Sequence, residues 1–264
     1  MAGTNRRRMQ SKSTAIAAAG ALPVIILIDP QLGENIGMVA RAMLNCGLTD
    51  LRLVRPRDDW PNPRAVSSAS GADLVLENTK VFENTSDAIA DLNLIYATTA
   101  RDRDMTKEIV TPEIAAKEIR AAGSEQCGIL FGREAKGMKN EDIVLANKIV
   151  IAPLNPGFTS LNLSQAVLLL AYEWYKLADD TPTIELRMKD TRLATNEEML
   201  MLFEHLEREL DNHGFLRVKE KRPVMVQNIR NVFQRANMTE QEVRTFRGVV
   251  KSLTQFPEKK IGTK

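Results

Sequence analysis

The sequence predicts an α/β fold with a parallel sheet, followed by a small all-α module at the C-terminus. From Pro23 to about Ala178, short apolar runs alternate with longer segments of helical periodicity, which is the pattern of a parallel sheet covered by helices. From Asn196 onwards only helical patterns remain. The 264 residues suffice for one medium-sized domain and a small second one.

Five short apolar runs, rich in β-branched or aromatic residues, are the predicted strands. Unbroken hydrophobicity over four or five residues is typical of a strand that is buried on both faces of a sheet. The runs are Val24–Ile28, Leu51–Val54, Leu94–Thr98, Cys127–Phe131 and Ile149–Ala152.

Three helices are predicted between and after these strands. The first spans Asn35–Cys46 and should end at Gly47, because glycine readily adopts the left-handed conformation at a helix C-terminus. The second opens at Thr111-Pro112-Glu113, with threonine as N-cap and proline at the first position, and closes at Gly123. The third is expected over Ser160–Leu177, with the Ser160 side chain capping it.

The C-terminal patterns predict a helix over Asn196–Asn212 closed by Gly214, a second over about Pro223–Ala236, and a third over Thr239–Gln255 with a capping box. Helices this short need mutual packing, so they should form one module. The predicted organisation is a disordered basic arm (1–21), the α/β domain (22–180), a linker (181–195) and the helical module (196–264).

The composition excludes several classes of protein. Cys46 and Cys127 form no CxxC pair, and His205 and His213 lie far from both, so neither a zinc site nor a disulfide scaffold is expected. No apolar run is long enough to span a bilayer, and we expect a cytoplasmic protein without a membrane partner. The predicted α/β domain contains no histidine, which excludes acid–base catalysis by histidine there.

Charge is distributed unevenly along the chain. Residues 1–20 contain four basic and no acidic side chains, and residues 183–264 contain 16 basic and 12 acidic ones, so each flank carries +4. Because the total is +2, the segment between them carries −6. An acidic body with basic flanks indicates either an ordinary solvated surface or extensions that bind a polyanion.

Three loops follow predicted strands and precede helices, where ligands of open α/β sheets bind. Asp29–Gly37 could bind an anion or simply form a tight turn, and Arg41 follows it on the helix. Gly132–Gly137 has the glycine spacing of a P-loop, but Met138 replaces the lysine, and the sequence contains no G-x-G-x-x-G. Pro153–Ser164 has an irregular backbone fixed by two prolines and a glycine.

In this order, the three loops resemble the motifs of the SpoU branch of the SPOUT methyltransferases. The matching residues are Asn35-Ile36-Gly37 with Ala40-Arg41-Ala42, then Leu130-Phe131-Gly132-Arg133-Glu134 with Gly137, then Ile151 through Ser164. The C-terminal module, with Phe203–Glu207, Gly214-Phe215 and Arg247-Gly248, is similar to the extension of the TrmJ-type tRNA methyltransferases, and Thr98–Arg101 fits that group.

The resemblance implies a trefoil knot at the C-terminal side of the domain, a homodimer, and S-adenosylmethionine as cofactor, without a metal. The residues implied in cofactor binding are Thr98, Thr99, Ala100, Gly132, Ile151, Ser160, Leu161 and Asn162. Those implied around the acceptor ribose are Asn35, Arg41, Glu134, Ser160 and Asn162. One departure is Glu34, where many relatives have a glycine or no residue before the asparagine, and it concerns the shape of the first loop.

The implied activity is 2′-O-methylation of tRNA at the first anticodon-loop nucleotide, cytidine or uridine. Ribosomal RNA is the alternative substrate, and an inactive RNA-binding or assembly protein is the alternative of another class. Arginine is a poor proton acceptor at neutral pH. Arg41 therefore acts either as a base helped by an RNA phosphate, or as a cation that stabilises the alkoxide while the proton leaves through water or Ser160.

The charge distribution adds a hypothesis about RNA recognition. Basic side chains of the two flanks would contact tRNA phosphates and supply affinity that depends on salt but not on sequence. They are Arg6, Arg7, Arg8, Lys219, Lys221, Arg222, Arg230 and Arg235.

Overall fold

Seven parallel strands form one sheet in the computed structural model, which describes residues 22–100, 105–134, 136–188 and 190–255. The strands are β1 (Val24–Ile28), β2 (Leu51–Val54), β3 (Lys80–Phe82), β4 (Leu94–Thr98), β5 (Glu108–Val110), β6 (Cys127–Phe131) and β7 (Lys148–Val150). Their order in the sheet is β3-β2-β1-β6-β4-β7-β5. The predicted basic arm, with Arg6–Arg8, lies outside the described residues.

Four predicted strands, β1, β2, β4 and β6, are confirmed to the residue. The predicted run Ile149–Ala152 was wrong at both ends, because β7 begins at Lys148 and its pairing stops at Val150. The edge strand β3 and the edge strand β5 were not predicted. Both have only three residues, two of them exposed, so they lack an unbroken apolar run.

Helices cover both faces of the sheet. Alternate strand residues such as Ile25 and Leu27 pack towards one face, and Ile26 and Ile28 towards the other, as the two-residue period of a strand requires. The helices of this first unit are α1 (Gly33–Asn45), α2 (Pro63–Ala69), α3 (Asp73–Glu77), α4 (Thr85–Ile89), α5 (Pro112–Ala121), α6 (Asn140–Ile143) and α7 (Leu163–Lys176).

The helices begin and end at the predicted capping residues, with one exception. Gly47 and Gly123 have φ of 75° and 65°, and Thr111 accepts a hydrogen bond from the Ile114 amide, as expected. The prediction that Ser160 caps the helix after β7 was wrong. Helix α7 begins at Leu163, and its N-cap is Asn162, whose side chain accepts from the Ser164 amide at 2.9 Å. Asn162 is extended, with φ −64° and ψ 150°, so the irregular loop continues to that residue.

The second compact unit runs from Pro182 and contains helices α8 (Asn196–Asn212), α9 (Arg222–Arg235) and α10 (Glu240–Gln255). A small core of Met199, Leu202, Phe203, Met238 and Val243 holds α8 against α10. In residues 192–194, which the sequence suggested were linker, the Ala194 amide donates to the Met238 carbonyl at 2.9 Å. Within the described part of the chain, no helix is long and apolar enough to cross a membrane.

Candidate active site

The carboxyl ends of four neighbouring strands bring the three sequence motifs to one edge of the sheet. Strand β6 lies between β1 and β4, and β7 pairs with the other side of β4. In register, Leu27 faces Phe131, Ala97 faces Leu130, and Thr98 faces Val150. The loops that follow β1, β4, β6 and β7 therefore begin at the same level, as expected for a ligand site of an open α/β sheet.

Three side chains from three motifs meet at this edge. Asn35, in the first turn of α1, donates its Nδ2–H to Glu134 Oε1 at 2.5 Å. Asn162 Nδ2 donates to Asn35 Oδ1 at 3.4 Å. The Asn35 amide thus has both of its polar atoms engaged and links a carboxylate to a second amide. We refer to these three residues as the amide–carboxylate cluster.

The cluster retains unused hydrogen-bonding capacity. Asn35 is 5% exposed, and Glu134 Oε2 is buried without a hydrogen-bond partner in the described chain. A buried carboxylate oxygen without a donor is unfavourable unless a ligand or water supplies one. The cluster therefore has an acceptor available for a bound molecule.

Close packing fixes the start of α1. A Cβ added to Gly33 would collide with the Asn62 side chain, and one added to Gly37 would collide with the Ala65 carbonyl oxygen on α2. Only glycine allows α1 to approach α2 this closely. The position of Asn35, between these two glycines, is therefore set by the Asn62 side chain on one side and by the Ala65 backbone on the other.

Arg41 lies further along α1 and is exposed. Its Nη1 is 3.4 Å from Ser70 Oγ, and no hydrogen bond of the described chain connects it to the amide–carboxylate cluster. The guanidinium therefore faces solvent. Its predicted place beside the ribose stays a prediction.

The residues implied in cofactor binding lie along the ends of β4, β6 and β7. Thr98 ends β4 and donates its hydroxyl to the Leu130 carbonyl at 2.9 Å, and the Thr99 amide donates to the Val150 carbonyl at 3.1 Å. The others follow the strands or precede α7 and are half-buried or exposed: Ala100, Gly132, Ile151, Ser160 and Leu161. Their contact with a cofactor stays a prediction.

The loop after β6 is folded tightly on itself. A Cβ on Gly132 would collide with the backbone of Gly137 and Met138, and Gly137 has a φ of 67°. The Gly137 amide donates to the Arg133 carbonyl at 2.9 Å, and Met138 is buried. The methionine that excluded a P-loop is thus a core residue that anchors the loop carrying Glu134.

An ionic network beside the site was missed by sequence reasoning. Asp29 and Arg55 directly follow β1 and β2, and Arg55 Nε donates to Asp29 Oδ1 at 2.8 Å. Arg55 also donates to buried Asp142 on α6, at 3.1 and 3.2 Å. Burial opposes the charge of Arg55, but the hydrogen bonds to Asp29 and Asp142 prevail and raise its pKa.

This network joins the first loop to the segment that follows the second loop. Asp29 and Arg55 have φ of 49° and 48°, a left-handed conformation that is unfavourable for residues other than glycine. The only signal in the sequence was their position, one residue beyond a strand end. The pairing with Asp142 is long-range and left no pattern.

The predicted RNA contacts of the second unit divide into two groups. Arg222 pairs with Asp211 at 2.8 Å, and Arg230 pairs with Glu207 at 2.7 Å while its guanidinium carbon lies 5.5 Å from the centre of the Phe203 ring. These two arginines already hold α9 against α8. Lys219, Lys221 and Arg235 are exposed. An RNA contact by any of the five stays a prediction.

Comparison with known proteins adds family relationships to this geometry. Residues 23–172 match the SpoU rRNA Methylase family, and residues 197–262 match the C-terminal domain of the tRNA methyltransferase TrmJ.

The matches to individual relatives cover almost the whole length of each relative. The chain is 33% identical to the tRNA (cytidine/uridine-2′-O-)-methyltransferase TrmJ of Citrobacter koseri, over 88% of this chain and 96% of that protein. It is 32% identical to the protein of the same name from Escherichia coli K12, over 88% and 94%. The crystal structure of TrmJ from Z. mobilis ZM4 superposes with a TM-score of 0.79 at 46% identity, covering 89% of this chain and 100% of that one.

Proposed function

The chain belongs to the SpoU methylase family, in its TrmJ-type group, and we propose that it methylates a ribose 2′-hydroxyl of tRNA with S-adenosylmethionine as methyl donor. The observation that carries the proposal is the amide–carboxylate cluster, which unites all three family motifs at the carboxyl edge of the sheet. The names of the relatives and the match of residues 197–262 support tRNA as the substrate class.

The residues at this edge fit the cofactor. Half-buried Ile151 and Leu161 offer apolar surface for a purine, and the buried Glu134 Oε2 offers an acceptor that lacks a donor. Thr98, Thr99, Ala100, Gly132 and Ser160–Asn162 would complete the pocket. When bound, S-adenosylmethionine supplies a methyl group on a positively charged sulfur, which is already activated, so we propose that no metal is required.

The chain's own residues would position and deprotonate the ribose. Arg41, which is exposed and forms one long hydrogen bond to Ser70, would contact a phosphate and stabilise the oxygen as it loses its proton. A well-placed donor of this kind contributes roughly 3–4 kcal/mol in the transition state. Asn35, Glu134 and Asn162 would orient the ribose, and the proton would leave through water or the exposed Ser160 hydroxyl.

The fold supports a knotted topology, which we propose for the segment from β6 to α7. Strand β6 is inserted between β1 and β4, and β7, the last strand, is inserted between β4 and β5. After β7 the chain returns to pack α7 against α1 and α5. This strand order is compatible with a chain that threads through an earlier loop, which is rare in proteins, and the match to the SpoU family is the further support for the knot.

We propose a homodimer formed through α1 and α7. Met38, Leu168, Leu169 and Tyr172 are exposed large apolar side chains on these two helices. Clustered apolar exposure of this kind marks interaction surfaces. The proposed compartment is the cytoplasm, where tRNA is found.

The proposed target is the first nucleotide of the anticodon loop, as cytidine or uridine. Purified protein would be incubated with S-adenosylmethionine and unmodified tRNA, and the ribose methyl located by nuclease digestion and mass spectrometry. Arg41→Ala should lower turnover by about 10²–10³-fold. Lys117→Gln, which removes an exposed charge on α5, is the matched control and should leave turnover unchanged.

Each outcome separates one part of the proposal from the rest. A methyl at the first anticodon-loop nucleotide, lost in Arg41→Ala, supports reaction, substrate and position together. A methyl elsewhere in tRNA refutes the position alone. Methylation of ribosomal RNA but not of tRNA refutes the substrate class, and no methylation of either RNA refutes the activity.

A further inference from the structure

A groove of about 290 Å³ runs between α8 and α10 in the second unit. A second depression of about 210 Å³ adjoins it and shares His205 and Arg247. The α10 wall carries Glu240, Arg244, Arg247 and Lys251. Their spacing of i, i+4, i+7 and i+11 places them on one face of the helix. The groove is thus built by two helices that the core of this unit holds together.

Charge differs between the two ends of the groove. At one end the acids are already neutralised, because Glu198 pairs with Arg192 at 2.7 Å and Glu240 pairs with Arg244. At the other end, Arg247 and Lys251 have no carboxylate partner among the residues that the structure describes.

The remaining charges at that end leave it positive. Arg208 is 3.5 Å from Glu209, and exposed Glu204 is the acid on the rim. The two unpaired cations, Arg247 and Lys251, therefore set the sign of this end.

His205 lines both depressions, and its Nδ1 is buried without a hydrogen-bond partner in the described structure. Burial lowers its pKa, and so do the positive charges of Arg208, Arg247 and Lys251, against the opposing effect of Glu209. The imidazole is therefore neutral at neutral pH, and one of its nitrogens carries a hydrogen that can be donated to an anionic oxygen.

Gly248 is the second independent feature of this groove. It lies inside α10, where glycine weakens a helix relative to alanine. A Cβ at this position would meet no atom within 4 Å, so the packing of the unit does not require glycine. Between Arg247 and Lys251, the absent side chain leaves room for a bulky ligand to approach the helix backbone.

We propose that this groove binds a phosphodiester segment of the tRNA backbone, with Arg247 and Lys251 contacting phosphates and Gly248 providing the open floor. The inference rests on the proposed tRNA substrate and assigns the RNA-binding face of the second unit to α8 and α10. Contacts of this type position the RNA without reading its sequence.

The test compares tRNA binding by full-length variants. The double variant Arg247→Gln/Lys251→Gln removes two exposed cations, and Lys80→Gln/Lys117→Gln removes the same charge from the first unit. The dissociation constant for unmodified tRNA would be measured by fluorescence anisotropy between 50 and about 300 mM salt. We expect the groove variant to bind roughly tenfold more weakly, with a salt slope reduced by about two, one for each lost phosphate contact.

A steric variant provides a second readout. Gly248→Leu should raise or preserve the melting temperature, because leucine favours helix and a Cβ at this position meets no atom within 4 Å, yet it should weaken tRNA binding. Equal binding by the groove variant and the control would overturn the inference while leaving the proposed function intact. Failure of the wild-type protein to bind tRNA at all would overturn both.

Discussion

The variant Asn35→Asp tests the amide–carboxylate cluster with almost no change in shape. The substitution keeps the acceptor towards Asn162 but replaces the Nδ2–H donor with an oxygen, 2.5 Å from Glu134 Oε1. A hydrogen bond to a charged group contributes about 1.5–3 kcal/mol, and all of it is lost at neutral pH. The two carboxylates also repel each other in a buried site, which raises the pKa of the introduced carboxyl group.

These energies predict a pH-dependent defect. For a unit of this size, 1 kcal/mol changes Tm by roughly 2–4 °C, so Asn35→Asp should melt about 3–12 °C below wild type at pH 7.5. Near pH 5 one shared proton restores a hydrogen bond between the carboxyl groups, and the difference should shrink. Methyl transfer at pH 7.5 should fall by roughly 10–100-fold, since the same interaction orients the site.

Asn162→Asp is the matched control for stability. Its Nδ2 donates at 3.4 Å, a long hydrogen bond, and its capping oxygen is retained, since aspartate is also a good N-cap. Its Tm, measured by calorimetry, should fall by less than that of Asn35→Asp at pH 7.5, even with repulsion between the added carboxylate and Glu134, because the hydrogen bond that is lost is long. If Asn35→Asp melts with wild type at pH 7.5 and pH 5, Asn35 and Glu134 do not form the pair on which this reasoning depends.

Three further outcomes follow from local geometry. Gly37→Ala should destabilise by about 1–3 kcal/mol, measured by urea unfolding, because its Cβ would meet the Ala65 carbonyl and separate α1 from α2; an unchanged midpoint would contradict this. Burial raises the pKa of the Cys46 thiol to about 11, so maleimide should label it at pH 8 only after unfolding, and rapid labelling of the folded protein would be the contrary result. Hydrogen bonds from Arg192 and the Thr195 backbone lower the pKa of Glu198 from 4.5 to about 2, so its contribution to stability is complete above pH 4.5 and is lost as the pH falls towards 2; the Tm deficit of Glu198→Gln should disappear over the same range, and a deficit that persists at pH 2 would refute the pairing.

Strands were predictable from the sequence where all of their residues are buried, because the apolar run then marks both ends of the strand. Strand β1 is buried at all five residues, so its apolar run has the same bounds as the strand. Strand β5 is an edge strand of three residues, and its partner β7 comes 40 residues later at the register Glu108–Lys148, so nothing local identifies it. The same holds for Arg55, whose two partners are brought together only by the sheet.

Charge in the sequence predicted a basic module but not which cations remain free. Arg222 and Arg230 matched the pattern of RNA contacts, yet both are engaged by acids of α8. Arg247 was noted only within a family motif, and its lack of a carboxylate partner in the described chain depends on the packing of α10 against α8. Pairing in three dimensions, rather than composition, therefore determines which basic residues can bind a polyanion.

Two helix N-termini explain why the side chains beside Glu134 are the amides Asn35 and Asn162 rather than carboxylates. Asn35 lies in the first turn of α1, and Asn162 is the N-cap of α7, so each sits beside the unpaired backbone N–H groups of a helix N-terminus. Those N–H groups and the helix dipoles favour negative charge nearby. Glu134 supplies that charge, and a second carboxylate would repel it, whereas an amide can donate to it and still accept from its neighbour. Two amides and one carboxylate therefore suit these two helix N-termini. In this set the Asn35 amide holds the Glu134 carboxylate in place, and the free carboxylate oxygen can accept from an incoming hydroxyl.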